Sequence, residues 1–281
     1  MSKIRIYTIQ FNKPHFMKLQ YESLRKYCKD DFEYIVINNG QDITTRNIIS
    51  EYCKDEKIEE VLSINITNNL ERYYGMAQDH CICLNQIYKN IIPNNNSDIN
   101  VIVDSDIFSF NNFSFESLLN KKDVSGIMFY LYGNTKYISS YIMIVNGNID
   151  TSKFGIPTNV NADSGIWTTN WISKWNMKWL RTTCGIGFNE VNYIFKNSPA
   201  HLPKCENNYF FQIIEGCLLH YWQGTGWANS DKNYHDSKWE FIKFFIDNSK
   251  LYDLILDDTV MYDEAMADCN WKKDRYKLNL L

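Results

Sequence analysis

The sequence lacks the features that would direct a chain into a membrane or onto nucleic acid. No apolar run approaches the roughly 18 residues of a membrane span, and residues 1–9 contain no secretory signal. Lys and Arg number 29 against 33 Asp and Glu, and no basic stripe or tail gathers the cations. Sequence-independent nucleic-acid binding needs such clusters. We therefore expect a cytoplasmic protein with no transmembrane segment and no nucleic-acid partner.

Several common catalytic and binding motifs are also absent from the chain. There is no phosphate loop, no Gly-x-Gly-x-x-Gly, no His-Glu-x-x-His and no Gly-x-Ser-x-Gly. None of the 8 cysteines forms a Cys-x-x-Cys pair, and several lie in apolar stretches, so we expect mostly reduced, buried thiols. Four histidines have no metal-like spacing to one another, and we expect structural or surface roles for them: His15, His80, His201 and His235.

The composition that remains is that of a folded globular protein. Hydrophobic residues make up 44% of the 281 residues and charged residues 22%, which argues against disorder. Aromatic residues make up 15%. Aromatic rings fill protein cores and can also cover the C–H face of a sugar, so the aromatic content leaves both uses open.

The first half of the chain alternates strand and helix patterns. Strands are predicted at 4–9, 34–37, 58–64 and 100–103, because these runs are apolar, alternating or β-branched. Helices are predicted between them, over 14–29, 44–53 and 72–91. Further along, two strands (124–132 and 137–145) and helical patches near 239–245 and 251–256 follow. This order predicts an α/β fold with a mostly parallel central sheet flanked by helices.

Three polar clusters follow predicted strands, at 8–12, 38–42 and 104–106. In parallel α/β sheets, ligands bind in the crevice at the carboxyl ends of the strands. We therefore expect the three clusters to face one site. Asp104-Ser105-Asp106 supplies two carboxylates, which are suitable ligands for Mg²⁺ or Mn²⁺ beside a diphosphate, although an acidic turn in solvent has the same sequence.

Two segments are similar to those of a known family: the strand–helix–strand that ends in Asn38-Asn39-Gly40-Gln41-Asp42-Ile43-Thr44, and Val101-Ile102-Val103-Asp104-Ser105-Asp106. They resemble the start of family-two and related glycosyltransferases of the GT-A fold. The family usually has aspartate at the position of Asn38 and serine at that of Gln41. The resemblance implies a GT-A-like (Rossmann-like) fold, with nucleotide-sugar contacts from Thr8, Gln10, Asn38, Asn39, Arg72, Asp104 and Ser105.

A late segment, from Leu218 to Trp227, adds a histidine before a glycine-rich loop. The resemblance implies that His220 completes a metal shell with Asp104 and Asp106. It also implies that the loop closes on the diphosphate. Neutral imidazole is a good ligand for Mn²⁺, although a lone histidine is also a common structural residue. The loop candidates for the nucleotide sugar are Trp222, Gly224, Trp227 and Lys232.

Direct displacement at a sugar carbon requires a carboxylate to accept the proton of the acceptor hydroxyl. Asp163 is the first candidate for this base, although an Asx turn would explain it equally well. Glu190 is the second candidate, and Asp231 and Asp236 are weaker ones. Trp167, Trp222 and Trp227 are candidate platforms for sugar or acceptor.

These observations and the resemblance together predict a metal-dependent glycosyltransferase of the hexosyltransferase type. The resemblance to family two implies that the sugar configuration is inverted by a single displacement. The enzyme would use Mn²⁺ or Mg²⁺ to move a sugar from a UDP- or GDP-sugar, with UDP favoured, to a glycan or other hydroxyl acceptor. The alternatives are a sugar-phosphate nucleotidyltransferase and a non-catalytic carbohydrate-binding protein. We expect residues 1–233 to form the catalytic domain and 234–281 a helical extension packed on it.

Overall fold

The computed structural model describes residues 2–64, 76–130, 136–156, 164–182, 186–187, 210–221 and 232–248. In chain order the described strands are β1 (Ile4–Gln10), β2 (Phe32–Asn38), β3 (Glu59–Leu62), β4 (Ile99–Asp104), β5 (Ile107–Ser109), β6 (Val124–Tyr130), β7 (Lys136–Asn146), β8 (Met177–Trp179), β9 (Ile186–Gly187), β10 (Phe210–Ile214) and β11 (Leu218–His220). They form a seven-stranded sheet in the order β3-β2-β1-β4-β7-β6-β8 and a four-stranded sheet in the order β5-β11-β10-β9.

The large sheet is mostly parallel. Strands β3, β2, β1 and β4 run parallel to one another, β7 is antiparallel to both β4 and β6, and β8 is parallel to β6. The register places Gln10 opposite Asn38 and Ile9 opposite Asp104. The three polar clusters therefore follow neighbouring strands at one edge of the sheet, as the sequence predicts.

Helices cover both faces of this sheet. A short π-helical turn (Ile87–Ile91) continues the third helix, so the predicted helix over 72–91 is only partly regular α-helix among the residues described. The helix predicted from Pro14 ends at Tyr27, where Cys28 becomes extended. The helices are α1 (Pro14–Tyr27), α2 (Ile43–Asp55), α3 (Met76–Gln86), α4 (Phe115–Leu119) and α5 (Lys232–Asn248).

Alternate residues of the central strands enter two different cores. Ile6 and Val101 pack with α1 and α2 on one face, whereas Tyr7 and Ile102 pack with α3 on the other. Burial on both faces explains why these strands are almost continuously apolar, as is usual for parallel sheets. The predicted α/β class is thus confirmed, with helices on both sides of a mostly parallel sheet.

A third core lies between the small sheet, α1 and α5. Its fully buried members include Phe16 of α1, Phe211 of β10 and Phe245 of α5. Among the helices that the structure describes, none combines the length and the apolar character needed to cross a bilayer.

Candidate active site

The Asp104-Ser105-Asp106 turn joins the large sheet to the small one. Asp104 is the last residue of β4, and β5 begins directly after Asp106. The Asp104 side chain is 29% exposed and that of Asp106 is 11% exposed. One carboxylate is therefore partly exposed and the other is largely enclosed.

The backbone of the turn is held by a buried side chain from α1. Gln20 donates from Nε2 to the carbonyl oxygens of Asp104, at 2.6 Å, and Ile107, at 2.8 Å. The Tyr34 hydroxyl donates to Gln20 Oε1 at 2.7 Å, which fixes the amide orientation. Complete burial raises the pKa of Tyr34 well above its ordinary value, so the hydroxyl remains a donor.

His220 reaches this turn because β11 pairs with β5. His220 lies opposite Ile107 in that antiparallel ladder, and the amide of Tyr221 donates to the carbonyl of Asp106 at 2.8 Å. The imidazole Nε2 is 3.4 Å from Asp106 Oδ1, which is long for a hydrogen bond. The structure therefore places His220 beside Asp106, although the two residues are far apart in the sequence.

The other nitrogen of His220 is fixed from the neighbouring strand. Gln212 lies opposite His220 in the β10–β11 ladder, and its Oε1 is 2.8 Å from His220 Nδ1. A carbonyl oxygen only accepts, so Nδ1 carries the proton and Nε2 faces the carboxylate. The ring of Tyr141 stacks on the imidazole at 4.3 Å. Such an outer partner is typical of a metal-binding histidine.

His80 of α3 stands in the same relation to the other carboxylate. Its Nε2 is 3.1 Å from Asp104 Oδ1. Its Nδ1 is 2.8 Å from Ser164 Oγ, which in turn donates to Ser140 Oγ at 2.8 Å. The sequence prediction of a structural or surface role overlooked this contact. Chain spacing could not reveal it, because the partners come from β4, β7 and the segment after residue 163.

Polar side chains on the carboxyl ends of β1 and β2 are deeply buried. Gln10 Nε2 donates to Thr8 Oγ1 at 3.1 Å, while the buried Gln10 Oε1 has no hydrogen-bond partner among the residues that the structure describes. The backbone amide of Asn39 donates to the carbonyl of Gln10 at 2.9 Å. An unsatisfied buried acceptor is rare in native proteins and fits a place where a ligand donor binds.

The side chain of Asn38 forms hydrogen bonds in and around the turn that follows β2. Its Nδ2 donates to the carbonyl of Arg46, to Ser50 Oγ and to Glu60 Oε1, at 3.0, 3.2 and 2.6 Å. Its Oδ1 accepts from the amide of Gly40 at 3.0 Å. A Cβ on Gly40 would lie 2.6 Å from Arg46 Cγ, so this turn requires glycine. A base contact by Asn38 would have to replace some of these bonds.

The carboxylate and imidazole groups at the turn are suitable ligands for a divalent cation. Among the residues that the structure describes, no three His, Cys, Asp or Glu side chains converge on one point. Asp106 and His220 nevertheless place a carboxylate oxygen and an imidazole nitrogen side by side. Mn²⁺ and Mg²⁺ accept one or two protein ligands and take the others from phosphates and water. The residues therefore fit a centre that a diphosphate completes, and Asp104 lies at the start of the same turn.

The structure also describes Lys232 and Trp167, which the sequence indicates as candidates for sugar or nucleotide contact. Lys232, the first residue of α5, pairs with Asp236 on the surface. Trp167 is only 6% exposed and packs on Phe154 and Tyr88, so its ring does not form the open sugar platform that the sequence suggested. The remaining candidates lie outside the described residues: Arg72, Asp163, Glu190, Trp222, Gly224, Trp227 and Asp231.

Comparison with known proteins gives similarity of structure only. No family model matches the chain, and no curated protein matches it either. Solved glycosyltransferases are among the structures to which it is similar. S. aureus TarS is 13% identical over 63% of this chain and 35% of its own, with a TM-score of 0.43.

Two further structures are similar at the same level. The mannosyltransferase PcManGT from Pyrobaculum calidifontis, solved with GDP-Man and Mn²⁺, is 12% identical over 63% of this chain and 54% of its own, with a TM-score of 0.42. An active-site mutant of LgtC is 10% identical over 62% of this chain and 72% of its own, with a TM-score of 0.44. The chain thus spans about a third to a half of TarS and PcManGT.

Proposed function

We propose that this protein is a metal-dependent glycosyltransferase that moves a sugar from a nucleotide diphosphate sugar to a hydroxyl acceptor. The observation that carries the proposal is the Asp106–His220 pair at the carboxyl edge of the parallel strands. Its two facing atoms are 3.4 Å apart, and Gln212 holds the imidazole with Nε2 towards the carboxylate. This edge is where α/β sheets bind nucleotides.

Asp106 and His220 would hold Mn²⁺ or Mg²⁺, with Asp104 as the third group. When bound, the cation supplies charge neutralisation for a diphosphate leaving group. Gln20 and the β5–β11 ladder keep the turn in place without the ligand, because their bonds lie within the protein. The site is therefore largely formed before the donor binds, which lowers the cost of binding.

Gln10, Thr8 and Asn39 would form the nucleotide wall. The buried Oε1 of Gln10, which has no partner within the described part of the chain, suits a donor group such as a base N–H or a ribose hydroxyl. A base with such an N–H favours UDP- or GDP-sugars, of which UDP is our first choice. In this proposal Asp163, or failing that Glu190, accepts the proton of the acceptor hydroxyl, and a single displacement inverts the sugar configuration.

The proposal is tested by thermal melting with UDP or GDP, each with and without Mn²⁺. We expect a rise in Tm that requires both nucleotide and metal. Ligand at 100 times its Kd should add about 2.7 kcal/mol of stability. Asp106→Asn and His220→Gln should abolish most of this rise. The first removes the negative charge of a proposed metal ligand, and the second removes the imidazole nitrogen of the other.

The matched control is Asp150→Asn, which alters an exposed aspartate beside Ser152 and Lys153 in the turn after β7. It should keep the full rise in Tm. Absence of any rise in the wild type with either nucleotide would contradict the proposal. A full rise in Asp106→Asn would remove the assigned metal site.

A further inference from the structure

A polar cleft opens at the edge of the large sheet opposite the candidate active site. Its volume is about 790 Å³, within the range of about 300–1,000 Å³ that is typical of ligand sites. It lies at the start of β4, where Ile99 is paired with Asn146 at the end of the antiparallel strand β7. Asp104 is the last residue of β4, about 17 Å from Ile99 at a rise of ~3.3 Å per residue. The cleft is therefore separate from the carboxylate turn.

Hydrogen bonds within the protein hold two walls of this cleft together. The amide of Lys3 donates to Asp98 Oδ2 at 2.7 Å, and Lys3 Nζ donates to Asn96 Oδ1 at 2.9 Å. The amide of Gly147 donates to the carbonyl of Asp98 at 2.7 Å. A Cβ on Gly147 would lie 2.1 Å from the carbonyl oxygen of Ser97, so only glycine allows these two loops to approach so closely. The cleft therefore does not require a ligand in order to form.

Another wall ends in a lysine with an unusual backbone conformation. After α4, Asn120 and Lys121 have φ angles of 51° and 58° in succession. Asn120 is the C-terminal cap of the helix, a position where asparagine is a common choice. Lys121 follows the cap and lines the cleft, although lysine rarely adopts this left-handed region. Backbone strain of this kind persists where the surrounding structure determines it, and it is concentrated at functional sites.

The side chains that line the cleft keep unpaired donors and acceptors. Amide groups that donate to no other described residue belong to Asn96, Asn146 and Asn148. Asp98 and Glu116 each accept one hydrogen bond through one carboxylate oxygen, and within the described ranges the second oxygen has no partner. The Lys121 ammonium group makes no ion pair with a described residue. Donors and acceptors are thus both available to a ligand.

This combination of groups favours a neutral ligand with several hydroxyl groups. One ammonium group beside two carboxylates does not favour an anion such as phosphate, and no three metal-binding side chains converge among the described residues. Ile99 and Leu119 are the apolar side chains in the described lining, so an apolar ligand would leave the polar groups desolvated and unpaired. A sugar hydroxyl both donates and accepts, and can therefore bond to amide, ammonium and carboxylate groups alike.

We propose that this cleft is a carbohydrate-binding site for a short neutral glycan. Lys121 Nζ and the Nδ2 groups of Asn96 and Asn146 would donate to sugar oxygens, and the free carboxylate oxygens of Asp98 and Glu116 would accept from hydroxyl hydrogens. No aromatic ring belongs to the described lining. Binding therefore relies on hydrogen bonds, whose net contribution is small, and should have a millimolar Kd. The inference goes beyond the proposed function and does not depend on it.

NMR titration of the whole chain with maltotriose, cellotriose and tri-N-acetylchitotriose tests the site. The side-chain amide signals that disappear in Asn96→Asp and Asn146→Asp identify these two residues. Each variant keeps the oxygen that accepts from Lys3 or from the amide of Asn148. We expect at least one trisaccharide to shift both signals in the wild type, with one common Kd. Absence of any shift at about 20 mM of all three trisaccharides would overturn the proposal, whatever inorganic phosphate or Ca²⁺ does in the same titration.

Lys121→Gly removes the ammonium group without destabilising the fold, because glycine adopts this backbone conformation without strain. It should raise the Kd about tenfold, while urea unfolding gives an unchanged or higher free energy of unfolding. Asn111→Asp is the matched control. Asn111 Oδ1 accepts from the amide of Asn112 in a turn outside the cleft, as Asn146 Oδ1 does from Asn148. An equal loss of affinity in Lys121→Gly and Asn111→Asp, or a loss in neither, would contradict the assigned site.

Asp106→Asn separates this site from the proposed function. It should leave the Kd for the trisaccharide unchanged, although it abolishes most of the rise in Tm with UDP and Mn²⁺. Trisaccharide binding that is lost in Asp106→Asn but retained in Lys121→Gly would place the sugar at the carboxylate turn and overturn the inference. A wild type that binds the trisaccharide in the cleft but binds no nucleotide would contradict the proposed function alone.

Discussion

Asn38 stands where the glycosyltransferases that the sequence resembles usually have aspartate. In this structure Asn38 Nδ2 donates to Glu60 Oε1 at 2.6 Å. Ser50 Oγ donates to the same oxygen at 2.6 Å. An aspartate would place a second carboxylate against Glu60 in a half-buried position. The amide therefore allows the β2 end to pair with β3, where Glu60 lies opposite Val36.

Asn38→Asp should destabilise the fold by about 2 kcal/mol at pH 7, because two carboxylates meet where one hydrogen bond existed. Repulsion would raise the pKa of the new carboxyl in the folded state above its unfolded value. The loss should therefore grow as pH rises from about 4 and be complete at neutral pH. Urea unfolding at pH 4.5 and 7.5 checks this, with Glu60→Gln as the compensating change. An equal loss at both pH values would contradict it.

Residue types at the site could be predicted from the sequence more readily than their partners. Asp104 and Asp106 are predictable because they follow an apolar strand, and the structure places His220 beside Asp106. His80, Gln20 and Gln212 left no sequence signal. Each makes its contact through tertiary packing between elements whose approach no chain spacing records.

At the scale of elements, α1 determines the position of the carboxylate turn. Gln20 is fully buried and makes three hydrogen bonds, to two backbone carbonyls and to the hydroxyl of Tyr34. The helix was predictable from Pro14 and its apolar spacing. The polar residue on its buried face was not, because only the path of the chain from β4 to β5 supplies its acceptors.

Gln20→Leu should lower the free energy of unfolding by about 2–4 kcal/mol, because it leaves buried polar groups without partners. It should also reduce the rise in Tm with UDP and Mn²⁺, since the Asp104 backbone loses its anchor. Tyr34→Phe is the matched control, because it removes the hydroxyl that donates to Gln20 and keeps both bonds from Gln20 to the turn. It should lower the free energy of unfolding by about 1 kcal/mol. Equal losses in the two variants, by denaturant unfolding, would count against the anchoring role.

Short strands limited what the sequence could predict about the elements. The parallel strands have apolar runs that predict them, whereas β5 and β11 have three residues each and β9 has two. Such runs are too short to show a period. The sequence therefore does not predict the small sheet that brings His220 to Asp106, and the family resemblance implies only the role of His220.

At the scale of the molecule, α5 packs directly on the small sheet and on α1. Trp239 stacks on Phe16 at 4.9 Å, and the Tyr27 hydroxyl donates to the carbonyl of Ile246 at 2.9 Å. Phe245 is fully buried against Phe110 and Phe211. These contacts argue that α5 belongs to the same cooperative unit as the small sheet, and so to the unit that holds His220. The assignment of 234–281 as an extension packed on the catalytic domain remains a prediction.

Phe245→Ala tests whether α5 unfolds together with the two sheets or separately from them. Truncating a buried phenylalanine should lower the free energy of unfolding by about 3–5 kcal/mol. If the protein unfolds as a single unit, every element is destabilised by that amount. Hydrogen exchange should then speed up in peptides from β1 and β4 as well as from α5 under conditions of global unfolding. Ile43→Ala, at a residue that is 66% exposed, should change neither stability nor exchange appreciably. Faster exchange confined to α5 would instead define it as a separately unfolding segment, in which case the small sheet would hold His220 without its help.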